Sequence, residues 1–273
     1  MSEKILSYDR ITADGAEPRA WLYVLHGIYG AGRNWGSVIR RVVRERPDWG
    51  ALLIDLRQHG DSLGFPPPHT IENAAADLDS LAQHTGMTPA AVLGHSFGGK
   101  VALVFARSTP EPPRQVWVID STPQAREPDG SAWGMLKILE SLPRRFESRA
   151  KVIEQLKSHG QPESVSQWMA TNLVPDDGGY RWRFDFDSIR ELLVSFYETD
   201  AWDVVESPPP GTEVHIVKAE ESSLLSGETL ARVERAAAGL GRTFLHRVDG
   251  GHWLNADNPD AVAMLLVQML PSA

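Results

Sequence analysis

Six short, almost unbroken apolar runs punctuate this chain: "AWLYVLH" (20–26), "ALLID" (51–55), "AAVLGH" (90–95), "QVWVID" (115–120), "EVHIVK" (213–218) and "TFLHRV" (243–248). A strand with one wet face alternates apolar and polar residues, whereas a strand covered on both faces stays apolar throughout. The runs therefore predict central strands of a parallel sheet sandwiched between helices. Amphipathic segments at 34–46, 71–83 and 100–107 lie between them, and 261–270 reads as a packed terminal helix. Alternation of this kind predicts a doubly wound, mostly parallel α/β sheet joined by right-handed crossovers.

The alternation fails from about 124 to 206. "SAWGMLKILESLPRRF", "RAKVIEQLKSHG" and "SIRELLVSFYETDAW" have helical patterning, and no buried-strand run separates them. The stretch predicts a helical cap, 124–206, inserted into a core made of 1–123 and 207–273. "ESPPPG" (206–211) is the stiff return, because proline blocks both helix and ladder pairing. The insertion is rich in aromatics: Trp133, Phe146, Trp168, Trp182, Phe184, Phe186, Phe196, Tyr197 and Trp202. Most are expected to form the small core of this layer, and some to line an apolar substrate slot beneath it.

Composition narrows the functional classes. A net charge of −9 repels phosphate backbones, which argues against nucleic acid as a partner. The chain has no cysteine, so it carries no disulfide, thiolate metal site or cysteine nucleophile. The charged N-terminus "MSEKILSYDR" has no apolar core of a signal peptide, and 261–270 is too short to span a bilayer. A cytoplasmic location fits these features.

The stretch "AVLGHSFGGKV" (91–101) can be parsed in two ways. Gly94, Gly99 and Lys100 approach a phosphate-binding loop, but the next residue, Val101, lacks the hydroxyl that would bind magnesium. Gly94, Ser96 and Gly98 instead form Gly-x-Ser-x-Gly, the turn that presents a nucleophilic serine between a buried strand and a helix. "AAVLG" supplies that strand and "KVALVFAR" the helix. Glycines at 94 and 98 let the two pass closely around a constrained serine.

A serine nucleophile needs a base and an acid. His252, in "VDGGHWLNADNP", follows the last predicted strand and lies between glycines and the terminal helix, where a loop can deliver an imidazole to Ser96. Asp120 ends the strand after the nucleophile helix, which puts it on the same rim; there it can hold the imidazole tautomer and stabilise the imidazolium. Glu220 and Glu221, after the strand at 213–218, are the alternative acids. Two backbone donors should face the developing oxyanion: the amide of Phe97, after the nucleophile, and that of Ile28 in "HGIYG" (26–30).

With these pieces placed, the chain resembles the α/β-hydrolase superfamily through "HGIYG", "DLRQHGDS" (55–62), "GHSFGGK" (94–100), "VIDSTP" (118–123) and "GGHW" (250–253). More narrowly it is similar to the small esterase and acyl-CoA thioesterase subgroup with a short helical cap, which "YRWRFDFDSI" (180–189) also resembles. The resemblance implies the α/β-hydrolase fold, favours Asp120 as the acid, and implies no metal or organic cofactor. Asp55, Arg57, His59 and Asp61 look like an active cluster but read better as a structural turn organising the loops beside the oxyanion strand, and His95 reads as a packing residue rather than a catalytic one. The expected activity is hydrolysis of carboxylic esters or thioesters with an apolar acyl group. C–C bond hydrolysis, lactone opening and perhydrolysis run on the same triad, and a silent binding module can share the fold. Oligomeric state is not readable from the sequence.

Overall fold

The computed structural model of the protein describes residues 4–239 and 241–273. Positions 1–3 of the charged N-terminal stretch thus lie outside the described residues. Chain order is β1 (Tyr8–Ile11), β2 (Ala20–Leu25), α1 (Gly36–Glu45), β3 (Trp49–Ile54), α2 (Ile71–Thr85), β4 (Pro89–His95), α3 (Phe97–Ser108) and β5 (Gln115–Ile119). After the insertion come β9 (Glu213–Ala219), α9 (Gly227–Ala238), β10 (Thr243–Val248), α10 (Leu254–Asp257) and α11 (Pro259–Met269). All six apolar runs form strands.

Among the described residues the main sheet has the order β1-β3-β2-β4-β5-β9-β10. Every neighbouring pair is parallel except β1 with β3. β1 escapes the apolar-run criterion because "YDRI" is a half-exposed edge strand. Side chains of β2 alternate between two cores, as a pleated strand buried on both faces must. Tyr23 and Leu25 join the core with α2 and α3, while Leu22 and Val24 join the one with α1 and α11. The chain leaves β2 toward β3 but leaves β4 toward β5. The C-terminal ends of β2 and β4 therefore flank a topological switch point, where open α/β sheets leave a crevice.

The segment between β5 and β9 holds α4 (Gly130–Ser141), α5 (Arg149–Ser158), α6 (Glu163–Ala170), α7 (Phe186–Glu198) and α8 (Trp202–Glu206). It also holds β6 (Arg145–Phe146), β7 (Leu173–Asp176) and β8 (Gly179–Trp182), a small antiparallel sheet in the order β6-β8-β7. The sequence reading has only helices here. Strands of two to four residues are too short to establish a period of two, and this sheet draws its apolar contacts from aromatics. Trp182 stands edge-on to Phe146 and stacks with Phe184.

Candidate active site

Ser96 is the single residue between β4 and α3, with φ +51° and ψ −115°. A non-glycine residue reaches such a backbone only when its surroundings force it there. The surroundings are its glycine neighbours. A Cβ on Gly94 would lie 2.0 Å from the Gly98 carbonyl oxygen, and one on Gly98 would lie 2.6 Å from that of His26. Strand and helix therefore close to a distance that only glycine tolerates. The Ser96 N–H donates to Ile119 O at 3.0 Å, and Ser121 Oγ donates to Ser96 O at 2.5 Å, which fixes the turn from β5.

Asp120, fully buried at the end of β5, also has positive φ, +38°. Its carboxylate accepts from His252 Nδ1 at 2.7 Å and from the Ala219 N–H at 3.3 Å. The imidazole of His252 is 28% exposed and opens on the cavity that Ser96 lines. The structure thus brings Ser96, Asp120 and His252 to one rim. It does not bring Glu220 or Glu221 to the imidazole. Glu220 is exposed and paired with Arg247 at 3.0 Å, which holds its carboxyl below the usual range, and Glu221 is exposed as well.

Ile28 and Phe97, whose amides are the expected oxyanion donors, lie in the turn after β2 and at the start of α3. Phe97 is the first residue of α3, so its N–H is one of the unbonded donors at a helix N-terminus. The Gly30 N–H closes a turn onto Gly27 O at 2.9 Å, with Tyr29 at φ +64°. The bond uses the Gly30 N–H and not that of Ile28, the second residue of the turn. A Cβ on Gly27 would lie 3.3 Å from that of Ser96, so the turn runs directly past the serine. His26 anchors it: Nδ1 donates to Gly27 O at 2.7 Å and Nε2 accepts from the Leu56 N–H at 3.0 Å. Burial pushes its pKa down to about 4, so the ring is a neutral strut.

His95 packs against the proposed base, ring centroids 4.7 Å apart, and its Nε2 donates to His252 O at 2.8 Å. Burial, followed by the neighbouring His252, lowers its pKa to about 3. The packing expected for His95 is therefore directed at the loop that carries His252. His26 in this anchoring role is what sequence reasoning missed, since "LHG" shows no sign of its two bonds. The "DLRQHGDS" residues organise loops. Asp55 accepts from the amides of Gly32 and Asp61, each at 2.8 Å, while Arg57 holds Asp77 at 2.7 Å.

A cavity of about 510 Å³ opens above Ser96. Its core-side wall includes Ile28, Tyr29, Trp35 and Trp253, and the insertion adds Ala132, Met135, Val165 and Trp168. Of the nine aromatics singled out in the insertion, only Trp168 lines this cavity among the described residues. Most of the others are buried in the core. Lys100, the residue behind the phosphate-loop parse, is fully buried and bonded to main-chain carbonyls. Among the described residues no group of three or more His, Asp or Glu side chains is gathered for a metal ion. No helix there is long and apolar enough to cross a membrane.

This arrangement offers a serine and an imidazole held by a buried carboxylate, both lining a largely apolar cavity. The sequence profile described as "Alpha/beta hydrolase family" matches residues 22–265. The chain is 30% identical over 261 residues to the sn-1-specific diacylglycerol lipase ABHD11 of Xenopus tropicalis, covering 92% of this chain and 77% of that protein. It is 26% identical over 258 residues to esterase YbfF of Escherichia coli (strain K12), covering 92% and 93%. A solved structure described as a marine microorganism esterase superposes with a TM-score of 0.83 at 23% identity, over 98% of this chain and 100% of that one.

Proposed function

Because the chain belongs to the alpha/beta hydrolase family and is an ester hydrolase, we propose that Ser96, His252 and Asp120 work as its catalytic triad on carboxylic esters or thioesters with an apolar acyl group. The observation that carries this reading is the 2.7 Å bond from His252 Nδ1 to buried Asp120, beside a serine held at positive φ. His252 accepts the Ser96 proton as Oγ attacks the acyl carbonyl. Asp120 holds the ring in the tautomer that leaves Nε2 able to accept, and stabilises the imidazolium. The Ile28 and Phe97 amides donate to the tetrahedral oxyanion, and the N-terminus of α3 adds its positive dipole end.

His252 then returns the proton to the departing alkoxide or thiolate, leaving an acyl-serine. Water, deprotonated by His252, attacks that acyl group; the acyl–Oγ bond breaks as His252 returns the proton to Ser96 Oγ, and the carboxylic acid is released. The apolar walls of the cavity support the preference for an apolar acyl chain, and residues 124–206 serve as its lid.

The test is turnover of p-nitrophenyl esters together with labelling by a fluorophosphonate probe. Ser96→Ala should lose labelling and lower kcat by about 10⁴-fold or more. Wild-type turnover in that variant rules the mechanism out.

A further inference from the structure

Lys100 has no part in this chemistry. It lies on the first turn of α3, four residues after the serine, and is fully buried. Its Nζ donates to Gln124 O at 2.9 Å, Phe196 O at 2.6 Å and Thr199 O at 2.9 Å. It also lies 4.3 Å from the centre of the Phe196 ring. An ammonium has three N–H donors and here meets three acceptors. Burying a charge is costly unless it is fully hydrogen-bonded, and burial pushes this lysine down to about 7, with Arg126 adding repulsion and Asp200 opposing it. A lysine serving only to fill space would be better replaced by leucine or methionine.

The positions of the three carbonyls say what the ammonium is for. Gln124 is where the chain enters the insertion. Phe196 and Thr199 lie on its returning side, before α8, at the C-terminal end of α7, whose free carbonyls and negative dipole end favour a cation. The stems are bonded to each other there, Arg126 N–H to Tyr197 O at 2.8 Å and Ala201 N–H to Pro123 O at 2.9 Å. Phe196 in turn packs on Phe97, ring centroids 6.0 Å apart. Farther out, the insertion supplies the cavity wall through α4 and α6.

We propose that Lys100 is a positioning residue: its ammonium staples both stems of residues 124–206 to the helix that carries Ser96, setting where the insertion's cavity wall stands over the serine. The role in turnover rests on the reading of Ser96 as nucleophile. Removing the staple leaves the triad intact and loosens the wall, so a substrate long enough to lean on that wall is affected most.

The experiment compares wild type, Lys100→Met and Lys100→Gln on p-nitrophenyl acetate and p-nitrophenyl octanoate. Active sites are counted by fluorophosphonate labelling, and amide hydrogen exchange is mapped along the chain. For Lys100→Met, KM for the octanoate should rise about tenfold, the size of effect a charged hydrogen bond can carry. KM for the acetate and kcat per labelled site should change much less. Exchange should accelerate in 124–206 and not in the strands of the main sheet. Lys100→Gln, which retains two donors, should fall between. Unchanged KM ratios with unchanged exchange overturn the proposal. So does a uniform loss of labelled sites with uniform exchange, or outright unfolding of both variants, since each marks a residue of general stability. If wild-type Ser96 is not labelled, the nucleophile assignment fails instead, and the exchange map still reads the staple.

Discussion

The rim of the sheet around His252 and its flank around His215 are built from the same chemical parts. Each has an imidazole on or beside a late strand, a carboxylate in reach and an aromatic neighbour. On the flank, His215 Nδ1 faces His246 Nε2 at 3.0 Å, Nε2 lies 3.4 Å from Glu213, and the ring stacks on Trp117 at 4.1 Å. Both its nitrogens are engaged within the protein, and the ring is fully buried. On the rim, His252 gives Nδ1 to Asp120 and turns toward a cavity. An imidazole beside a carboxylate becomes a base only when its second nitrogen faces a space that substrate can enter. Strand ends at a switch point provide that space, and strand middles do not.

The sharpest way to break this contrast is at the acid. Asp120→Asn should lower kcat per labelled site by about a thousandfold or more, because the amide no longer selects the working tautomer. Glu220→Gln should leave turnover within about twofold, as for other surface changes. The reverse outcome would move the acid to β9. Next comes His95→Phe, which keeps a ring but removes the donor to His252 O. A drop of about tenfold in kcat, the loss of one positioning hydrogen bond, is expected. An unchanged rate would show that the loop holds its shape unaided.

The smallest effect concerns stability, on the flank. Burial, reinforced by His246 and opposed by Glu213, pushes His215 down to about 4. The folded state therefore binds this proton less readily than the unfolded chain, where histidine titrates near about 6.5. The contribution is complete above that pH and is lost as pH falls toward about 4, on the order of 2 kcal/mol. His26 and His95 shift the same way. Urea unfolding at about pH 7.5 and about pH 4.5 should show the loss, and His215→Asn should shrink it. An equal loss in the variant would remove His215 from the account.

What the sequence made legible follows from which residues act through their identity. The strands were readable because burial on both faces demands continuous apolar character, and the elbow because its glycines leave a recognisable spacing. Ser96, Asp120 and His252 could be expected together because chemistry needs those atoms at strand ends, and the fold brings all three to one rim. The rest works through contacts between distant positions. Lys100 looks like part of a phosphate loop until Gln124, Phe196 and Thr199 are seen around it, 24 to 99 residues away. His26 looks like the end of a strand until Leu56 is seen donating to it. The small sheet in the insertion is silent because strands of two to four residues have no room for a pattern.

Among the described residues, five other than glycine have positive φ, and three of them are Tyr29, Ser96 and Asp120. Each departure of this kind costs about 1–3 kcal/mol, a cost glycine would largely escape. Selection for heat tolerance alone would thus reward glycine at Tyr29, Ser96 and Asp120. On the triad proposed above, the most heat-resistant variants so selected would be well-folded proteins that turn nothing over. A screen on this scaffold therefore needs a turnover step in every round, because folding and function place opposite demands on the same backbone angles.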